Sequence, residues 1–325
     1  MTTPRIECPT CEADERPGVD RRTFLARAGA TAAALVIGPD WLPAVADELK
    51  AAPDTLAKEL YVAIGAQRLG AVHPPHSPIA REVHANWDVS PVRIRSLELP
   101  HQALVREIIR SATTDEGYQR FRRQMRDDSG GIHNYSLAFV GQPESQKFQL
   151  VIAGRHFTLR IDGRADDKIA FGGPILYGHS EERRAEHNLF HDHTRRANAM
   201  YTMLDERQRA RALVQTRHPD EGNVHVRPDN LREGIGVGEL TAEQQAIIAA
   251  TIRELLAQYG DKAVAEMTDI VTANGGWTTQ RLAFYAGPDW HHDGLWDVWR
   301  LEGPGFLYYY RGMPHVHAYV NIFRV

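Results

Sequence analysis

The closing stretch HDGLWDVWRLEGPGFLYYYRGMPHVHAYVNIFRV, residues 292–325, decides the fold class. Its aromatic and β-branched runs are separated by turn residues, which predicts three successive strands with Gly303-Pro304-Gly305 as the hairpin between the first two. Side chains two apart on a strand point the same way, so His315 and His317 share one face of the last strand. Two adjacent imidazoles indicate either a metal site or a polar sheet face that is partly exposed to solvent.

A second block of strands precedes this one in the middle of the chain. HNYSLAFVG (133–141), KFQLVIAG (147–154) and RHFTLRIDG (155–163) alternate with a period of two, and turn residues separate them. RLAFYAG (281–287) adds a strand ahead of the closing stretch. Consecutive strands joined by short turns form antiparallel sheet.

Helical patterns lie before and between the strand blocks. Residues 53–69 and 99–128 have helical spacing, with a break near 111–117 that divides the second region into two helices. The segment 180–204 predicts a helix opened by Ser180, and 241–276 predicts one or two helices capped by Thr241. The Pro-rich segment 73–91 predicts an irregular surface loop.

The order of these elements predicts an α+β fold. We expect one or more antiparallel sheets, built from the middle and closing strand blocks and packed with helices. The predicted domain organisation is a single domain over residues 47–325, after a signal peptide over residues 1–46.

The first 46 residues have the order of a twin-arginine signal. Arg21 and Arg22 precede a short Ala-rich apolar run, and the small residues Ala44-Val45-Ala46 follow it. The pattern predicts recognition by the twin-arginine export machinery, cleavage after Ala46, and export of the folded protein to the periplasm or outside the cell. The alternative interpretation is a buried amino-terminal helix.

Composition excludes several classes of partner. The net charge is −4 and no basic stripe or nucleic-acid motif occurs, so no nucleic-acid partner is expected. No apolar run is long enough to give a stable membrane span after cleavage. Both cysteines, Cys8 and Cys11, lie within the leader, so a metal in the mature chain must be held by His, Asp, Glu or backbone oxygen.

Several strings resemble those of one bacterial family. They are LPHQALVREIIRSATTDEGYQRFRRQMRDD, GRHFTLRIDG, FGGPILYGHSEE, TAEQQAIIAATI, LAFYAGP, WRLEGPGFLYYY and HVHAYVNIFR. In sequence order they are similar to the family catalogued as domain of unknown function 3500. The chain departs from the family pattern at Arg155, where a first His is common, and at Pro314, where Asn is usual. The resemblance implies the fold, highlights His156, His315 and His317, and implies no activity.

Three histidines form the most specific candidate site. His156 opens a middle strand, and we expect it to join His315 and His317 on the sheet. Three imidazoles without cysteine suit zinc or copper, and three protein ligands leave a coordination position open for chemistry. The alternative is three half-buried polar residues that hydrogen-bond to the backbone.

Charged residues near the closing strands could support that chemistry. Glu302, Arg300 and Asp293 are the candidate catalytic residues, available for acid–base roles or for orienting a ligand.

A second histidine pair lies in the segment 180–204. His187 and His191 are four residues apart, the spacing of helical metal ligands. A solvated helix face is the favoured interpretation, because neighbouring arginines would repel a cation.

Aromatic residues around a third histidine pair suggest a ligand cleft. Trp290, Trp296 and Trp299 flank His291 and His292. Such a combination is typical of a site for a small-molecule or carbohydrate-like ligand. The alternative is an aromatic core with exposed loop histidines.

Other enzyme signatures are missing from the sequence. G-x-S-x-G, the P-loop, the dinucleotide fingerprint and H-E-x-x-H do not occur. The sequence therefore predicts a metal-dependent enzyme, hydrolytic with zinc and oxidative with copper, or else a non-catalytic periplasmic metal- or carbohydrate-binding protein.

Overall fold

The fold is seen in a computed structural model. It describes residues 51–65, 70–143, 147–162, 173–180, 187–215, 225–286, 295–312 and 315–325. The predicted signal peptide lies outside the described residues, as do Asp293 and the predicted cleft residues Trp290, His291 and His292. Among the described helices, none combines the length and the apolar character that crossing a membrane requires.

Seven α-helices occur in the described part of the chain. They are α1 (Pro53–Ala63), α2 (Leu99–Ser111), α3 (Asp115–Ser129), α4 (His191–Thr202), α5 (Glu206–Ala212), α6 (Ala242–Leu255) and α7 (Asp261–Ala273). Thr241 caps α6 as predicted, since its side chain accepts a hydrogen bond from the Gln244 amide. The predicted break within residues 99–128 is confirmed, because α2 ends at Ser111 and Thr114 caps α3.

Helix α4 begins at His191, so the prediction that Ser180 opens it was wrong. Asn188 explains the late start. Its side chain accepts from the Phe190 amide and donates to the His179 carbonyl, a local pairing that competes with helical hydrogen bonds. His187 therefore lies outside the helix and does not share a helix face with His191.

Eleven strands of the described ranges form one sheet. They are β1 (Val72–His73), β2 (Ser136–Gln142), β3 (Lys147–Gly154), β4 (Phe157–Asp162), β5 (Ile175–His179), β6 (Leu213–Val214), β7 (Ile235–Gly236), β8 (Arg281–Tyr285), β9 (Val298–Gly303), β10 (Phe306–Arg311) and β11 (Val316–Ile322). Their order is β1-β2-β3-β4-β5-β11-β10-β9-β8-β6, with β7 also paired to β8.

The α+β class is confirmed, and the sheet is mostly but not purely antiparallel. β1 pairs with β2, and β6 with β8, in the parallel sense. Both parallel pairs involve a two-residue strand whose partner follows only after intervening helices, and such long connections allow parallel pairing.

The two strand blocks meet where β5 pairs with β11. Their antiparallel register sets Val316 opposite His179 and His317 opposite Gly178. On the other side of β5, Phe157 of β4 pairs with Tyr177. A single strand therefore separates the start of β4 from the start of β11.

The sheet is covered on both faces. One face contributes residues such as Tyr177, Trp299 and Leu301 to the large apolar core shared with the helices. The other face is covered in part by the segment 73–91, from which Val83 and Val89 pack in two smaller clusters. The prediction that this segment is a surface loop was therefore only partly right, because an uncovered sheet face would leave apolar side chains in water.

Gly178 should be essential to the β5–β11 junction. A Cβ atom there would lie 2.2 Å from the Val316 oxygen, so we expect Gly178→Ala to lower the free energy of unfolding by about 2–3 kcal/mol. Gly70→Ala is the control, because Gly70 is exposed and its nearest obstacle is the Pro91 side chain at 3.1 Å. Urea unfolding measures both, and a Gly178→Ala variant as stable as the wild type would contradict this register.

Candidate functional site

Three histidines converge at the junction of the two blocks. His156 lies in the two-residue turn between β3 and β4, His315 precedes β11, and His317 lies within it. One nitrogen from each ring lies within 4.8 Å of the other two, and the ring centroids are 4.7–4.8 Å apart. The predicted trio is therefore brought together.

Gly178 allows the rings to meet across β5. It is the register partner of His317, and it follows Tyr177, the partner of the residue after His156. A Cβ atom on Gly178 would lie 3.3 Å from His317 Cδ2. The glycine therefore leaves room for imidazoles that arrive from both sides of the strand.

His156 is held in an unfavourable backbone conformation. Its φ is +55°, and no other non-glycine residue in the described ranges has a positive φ. The His156 amide donates to the Ala85 oxygen at 2.7 Å. The preceding Arg155 carbonyl accepts from Tyr135 and Gln124. A non-glycine residue in this region costs about 1–2 kcal/mol, a kind of strain found often at functional sites.

A buried carboxylate fixes the orientation of the His156 ring. Nδ1 lies 2.8 Å from Oδ2 of Asp128, whose side chain is 1 % exposed. Burial alone would raise the pKa of Asp128, but the hydrogen bonds that the carboxylate accepts outweigh it and hold the pKa well below its usual value. The ionised carboxylate keeps the proton of a neutral His156 on Nδ1, which leaves the lone pair on Nε2 available.

Asp128 is itself fixed by two further donors. Oδ1 accepts from the Ser180 amide at 3.0 Å, and Oδ2 accepts from the Gln124 side chain at 2.8 Å. A negative charge near the carboxyl terminus of a helix is unfavourable. At Asp128, near the end of α3, these hydrogen bonds offset that cost.

His317 has a different environment from His156. Nη2 of Arg311 lies 3.0 Å from its Nδ1, and a guanidinium can only donate. In the neutral ring the proton is therefore on Nε2, which lies 2.9 Å from Nε2 of His315. Burial and the charge of Arg311 lower the pKa of His317, so this ring is neutral near pH 7.

The trio fits a transition metal in part. Two nitrogens bound to one tetrahedral zinc ion lie about 3.4 Å apart, so the widest separation here must contract by more than an ångström. His156 presents a lone pair and has the carboxylate partner typical of metal-bound histidine. His317 Nε2 becomes a ligand only if its proton moves to Nδ1 and Arg311 turns away. The described group can hold an ion, and the geometry does not select which metal.

Ser180 does not complete a serine-protease arrangement. Its Oγ lies 3.1 Å from Nδ1 of His156, the same nitrogen that bonds Asp128. A catalytic serine bonds the opposite ring nitrogen from the carboxylate. Ser180 therefore helps to fix the ring and is not an activated nucleophile.

A polar cavity of about 560 Å³ lies beside Asp128 and Ser180. It is lined by Arg123, Asp127, Asp128, His179, Ser180, His187, Asn188 and Leu189. Its wall thus includes both groups that fix the His156 ring, and its volume is in the range of small-ligand pockets.

The predicted acid–base residues Glu302 and Arg300 lie elsewhere on the sheet. Glu302 pairs with Leu307, four residues along β10 from Arg311, which is a separation of about 14 Å at the rise of a strand. Arg300 donates to Glu302 at 2.9 Å, and Arg227 donates to the same carboxylate at 2.7 Å. The pair therefore anchors the segment around Arg227. It is not brought to the histidines, and its catalytic role stays a prediction.

The described tryptophans of the predicted cleft lie in or beside the core. Trp299 is fully buried and stacks on Tyr308, with centroids 4.8 Å apart. Trp296 is half-buried, and its ring meets the edge of Tyr201. The structure does not bring them to the three histidines, and ligand binding by them stays a prediction.

Sequence reasoning missed Asp128, Gln124, Ser180 and Arg311 as parts of the site. The sequence contained one indication of this site. Asp127 and Asp128 lie near the end of a helix, where two carboxylates are unfavourable unless hydrogen-bond donors or cations lie close to them. The partners of Asp128 come from three separate elements, which sequence spacing does not reveal.

Comparisons with known proteins give one match. A family model described as "Protein of unknown function (DUF3500)" matches residues 66–320. No curated protein and no solved structure matches the chain significantly.

Two substitutions at His156 test its backbone strain. His156→Gly and His156→Ala both remove the imidazole and its bond to Asp128, so they differ in the cost of the positive φ and in the larger backbone entropy that glycine loses on folding. We expect the glycine variant to be more stable by about 1 kcal/mol in urea unfolding of the metal-free protein. An alanine variant clearly more stable than the glycine variant would contradict the positive φ.

Proposed function

We propose that this chain, which belongs to the DUF3500 family of proteins of unknown function, is a metal-dependent enzyme with a three-histidine centre. His156, His315 and His317 bind one zinc or copper ion. The observation that carries the proposal is the approach of the three ligand nitrogens to within 4.8 Å of one another. They come from two strand blocks that are far apart in sequence.

Chemistry at this centre depends on a fourth position. Three protein ligands leave a tetrahedral ion with one site for water or substrate. Zinc there would support hydrolysis through an activated water, and copper would support oxidation. In either case Asp128 holds His156 in the correct tautomer, because its carboxylate accepts the Nδ1 proton.

Burial of two of the three histidines supports a second candidate, a non-catalytic metal-binding protein. His156 and His317 are each 4 % exposed, and so little access suits a structural or storage site. The two candidates differ at the fourth ligand. Broadening of the Cu(II) electron paramagnetic resonance signal in ¹⁷O-enriched water would indicate an open position, and its absence would favour the second candidate.

Removing two ligands should abolish metal binding. We expect about one equivalent of copper or zinc in the wild-type protein, and almost none in His315→Ala/His317→Ala, by elemental analysis of natively purified protein. His187→Ala/His191→Ala is the matched control, since it also removes two histidines and should keep the metal. A folded wild type without metal, which also fails to take up added zinc or copper, would refute the proposal.

Asp128→Asn should weaken the site without removing a ligand. Loss of an outer-shell partner typically costs 10- to 100-fold in metal affinity. Competition with a chromophoric chelator measures this change, with Asp127→Asn as the control on the neighbouring carboxylate. Equal affinities in the two variants would show that Asp128 does not support the metal centre.

We also propose that the protein is exported by the twin-arginine pathway. The support is the order of Arg21-Arg22, the short apolar run and Ala44-Val45-Ala46. In a bacterial host with this pathway, the wild type should appear in the periplasmic fraction with residue 47 as its amino terminus. Arg21→Lys/Arg22→Lys should leave the precursor in the cytoplasm, and an unchanged fractionation would contradict export by this route.

A further inference from the structure

We propose that a second cavity, beside the turn that carries His156, binds a small hydroxylated carboxylate such as a sugar acid, and that Arg155 holds the carboxylate. This inference goes beyond the proposed metal centre and does not depend on a bound ion. The cavity has a volume of about 380 Å³, which is in the range of small-ligand pockets. Trp87, Asp88, Arg93 and Arg155 are among the residues that line it.

Arg155 is held firmly in the wall of this cavity. It lies in the two-residue turn between β3 and β4, where its carbonyl accepts from the Tyr135 hydroxyl at 2.6 Å and from the Gln124 side chain at 3.0 Å. Its side chain is also fixed, because Nε donates to Ser180 Oγ at 3.2 Å. The half-buried guanidinium is therefore positioned before a ligand arrives, which lowers the entropy cost of binding.

The two terminal nitrogens of this guanidinium are available to a ligand. Within the described ranges, no acceptor lies at hydrogen-bond distance from Nη1 or Nη2, and no carboxylate pairs with Arg155. A guanidinium can only donate, and its planar fork matches the two oxygens of a carboxylate. Arg155 can therefore give a carboxylate in the cavity two parallel hydrogen bonds.

The charge around the cavity favours an anion. Arg93 and Arg155 line it. Arg95 lies next to it, since its Nη1 donates at 2.9 Å to Oδ1 of the lining residue Asn134. Among the described lining residues Asp88 has the one carboxylate, and Arg93 already pairs with it at 2.5 Å. The surplus of positive charge attracts an anionic ligand and disfavours one that also carries an ammonium group.

Other groups in the wall fit the hydroxylated part of such a ligand. Oδ2 of Asp88 accepts from Arg93, while Oδ1 has no donor in the described part of the chain and can accept from a ligand hydroxyl. Asn86 is exposed and contributes an amide that both donates and accepts. Trp87, fixed by a 3.0 Å hydrogen bond from its Nε1 to Thr158, adds an apolar surface that suits the C–H groups of a sugar ring.

The larger cavity beside Asp128 does not offer the same combination. Its described lining includes two carboxylates, Asp127 and Asp128, and one guanidinium, Arg123. Arg123 pairs with Asp127 at 3.4 Å. That cavity therefore has no surplus of positive charge for an anion, and the geometry points to the cavity lined by Arg155.

Titration calorimetry of the metal-stripped full chain tests the site with three probes. Galacturonate has a carboxylate and hydroxyl groups, galactose lacks the carboxylate, and acetate lacks the hydroxyl groups. We expect galacturonate to bind, and the other two probes to bind about tenfold more weakly, since each lacks one set of hydrogen bonds. Stripping the metal excludes binding at the histidine centre from the measurement.

Variants of Arg155 separate a binding role from a structural one. Arg155→Met should weaken galacturonate binding about tenfold and leave galactose binding unchanged, since only the carboxylate contact is lost. Arg155→Lys should be intermediate for galacturonate, because lysine keeps the charge without the planar fork. Arg122→Met is the matched control. It removes an exposed guanidinium from α3 and should bind galacturonate like the wild type.

Asn86→Ala keeps the test decisive if the Arg155 variants do not fold. Asn86 is exposed, so its loss should not affect folding. We expect this variant to bind galacturonate about threefold more weakly, because one ligand hydroxyl loses its partner. Unchanged affinity in Asn86→Ala would then count against this cavity.

Three results would overturn the inference and leave the metal centre standing. They are no binding of galacturonate by the wild type, equal galacturonate affinity in the wild type and Arg155→Met, and an affinity for acetate or galactose equal to that for galacturonate. Failure of the wild type to bind zinc or copper would overturn the metal centre alone, because the calorimetry is done without metal.

Discussion

Antiparallel hydrogen bonds between β5 and β11 join the two strand blocks into one sheet and so create the candidate site. The middle block carries His156, and the closing block carries His315 and His317. Their side chains meet because β5 is the single strand between them and Gly178 has no side chain to obstruct the contact. Without this pairing each block would have an exposed edge, and the histidines would be far apart.

His156 and His317 have hydrogen-bond partners of opposite kinds, a carboxylate and a guanidinium. On one side, Asp128 is buried, ionised and fully hydrogen-bonded, so the tautomer of His156 is set before anything binds. On the other side, Arg311 donates to Nδ1 of His317, which places the proton of the neutral ring on Nε2.

Local strain also concentrates at this place. His156 keeps a positive φ because its amide and the preceding carbonyl are both fixed by hydrogen bonds. The ion-pair network of Arg300, Glu302 and Arg227 lies farther along the sheet and has no comparable strain. Its charges are paired with one another, and the network anchors the segment around Arg227 to the sheet.

The sequence by itself determined the α+β class, most strand positions, the break between α2 and α3, and the cap at Thr241, because periodicity and capping are local properties. It also selected the three histidines, with the family resemblance as a guide. It misplaced the start of α4, where Asn188 forms its own local hydrogen bonds. Only the tertiary structure decided that β5 pairs with β11, that Asp128 and Arg311 flank the histidines, and that Glu302 does not. Such contacts join residues remote in sequence, and their geometry depends on the register of the whole sheet.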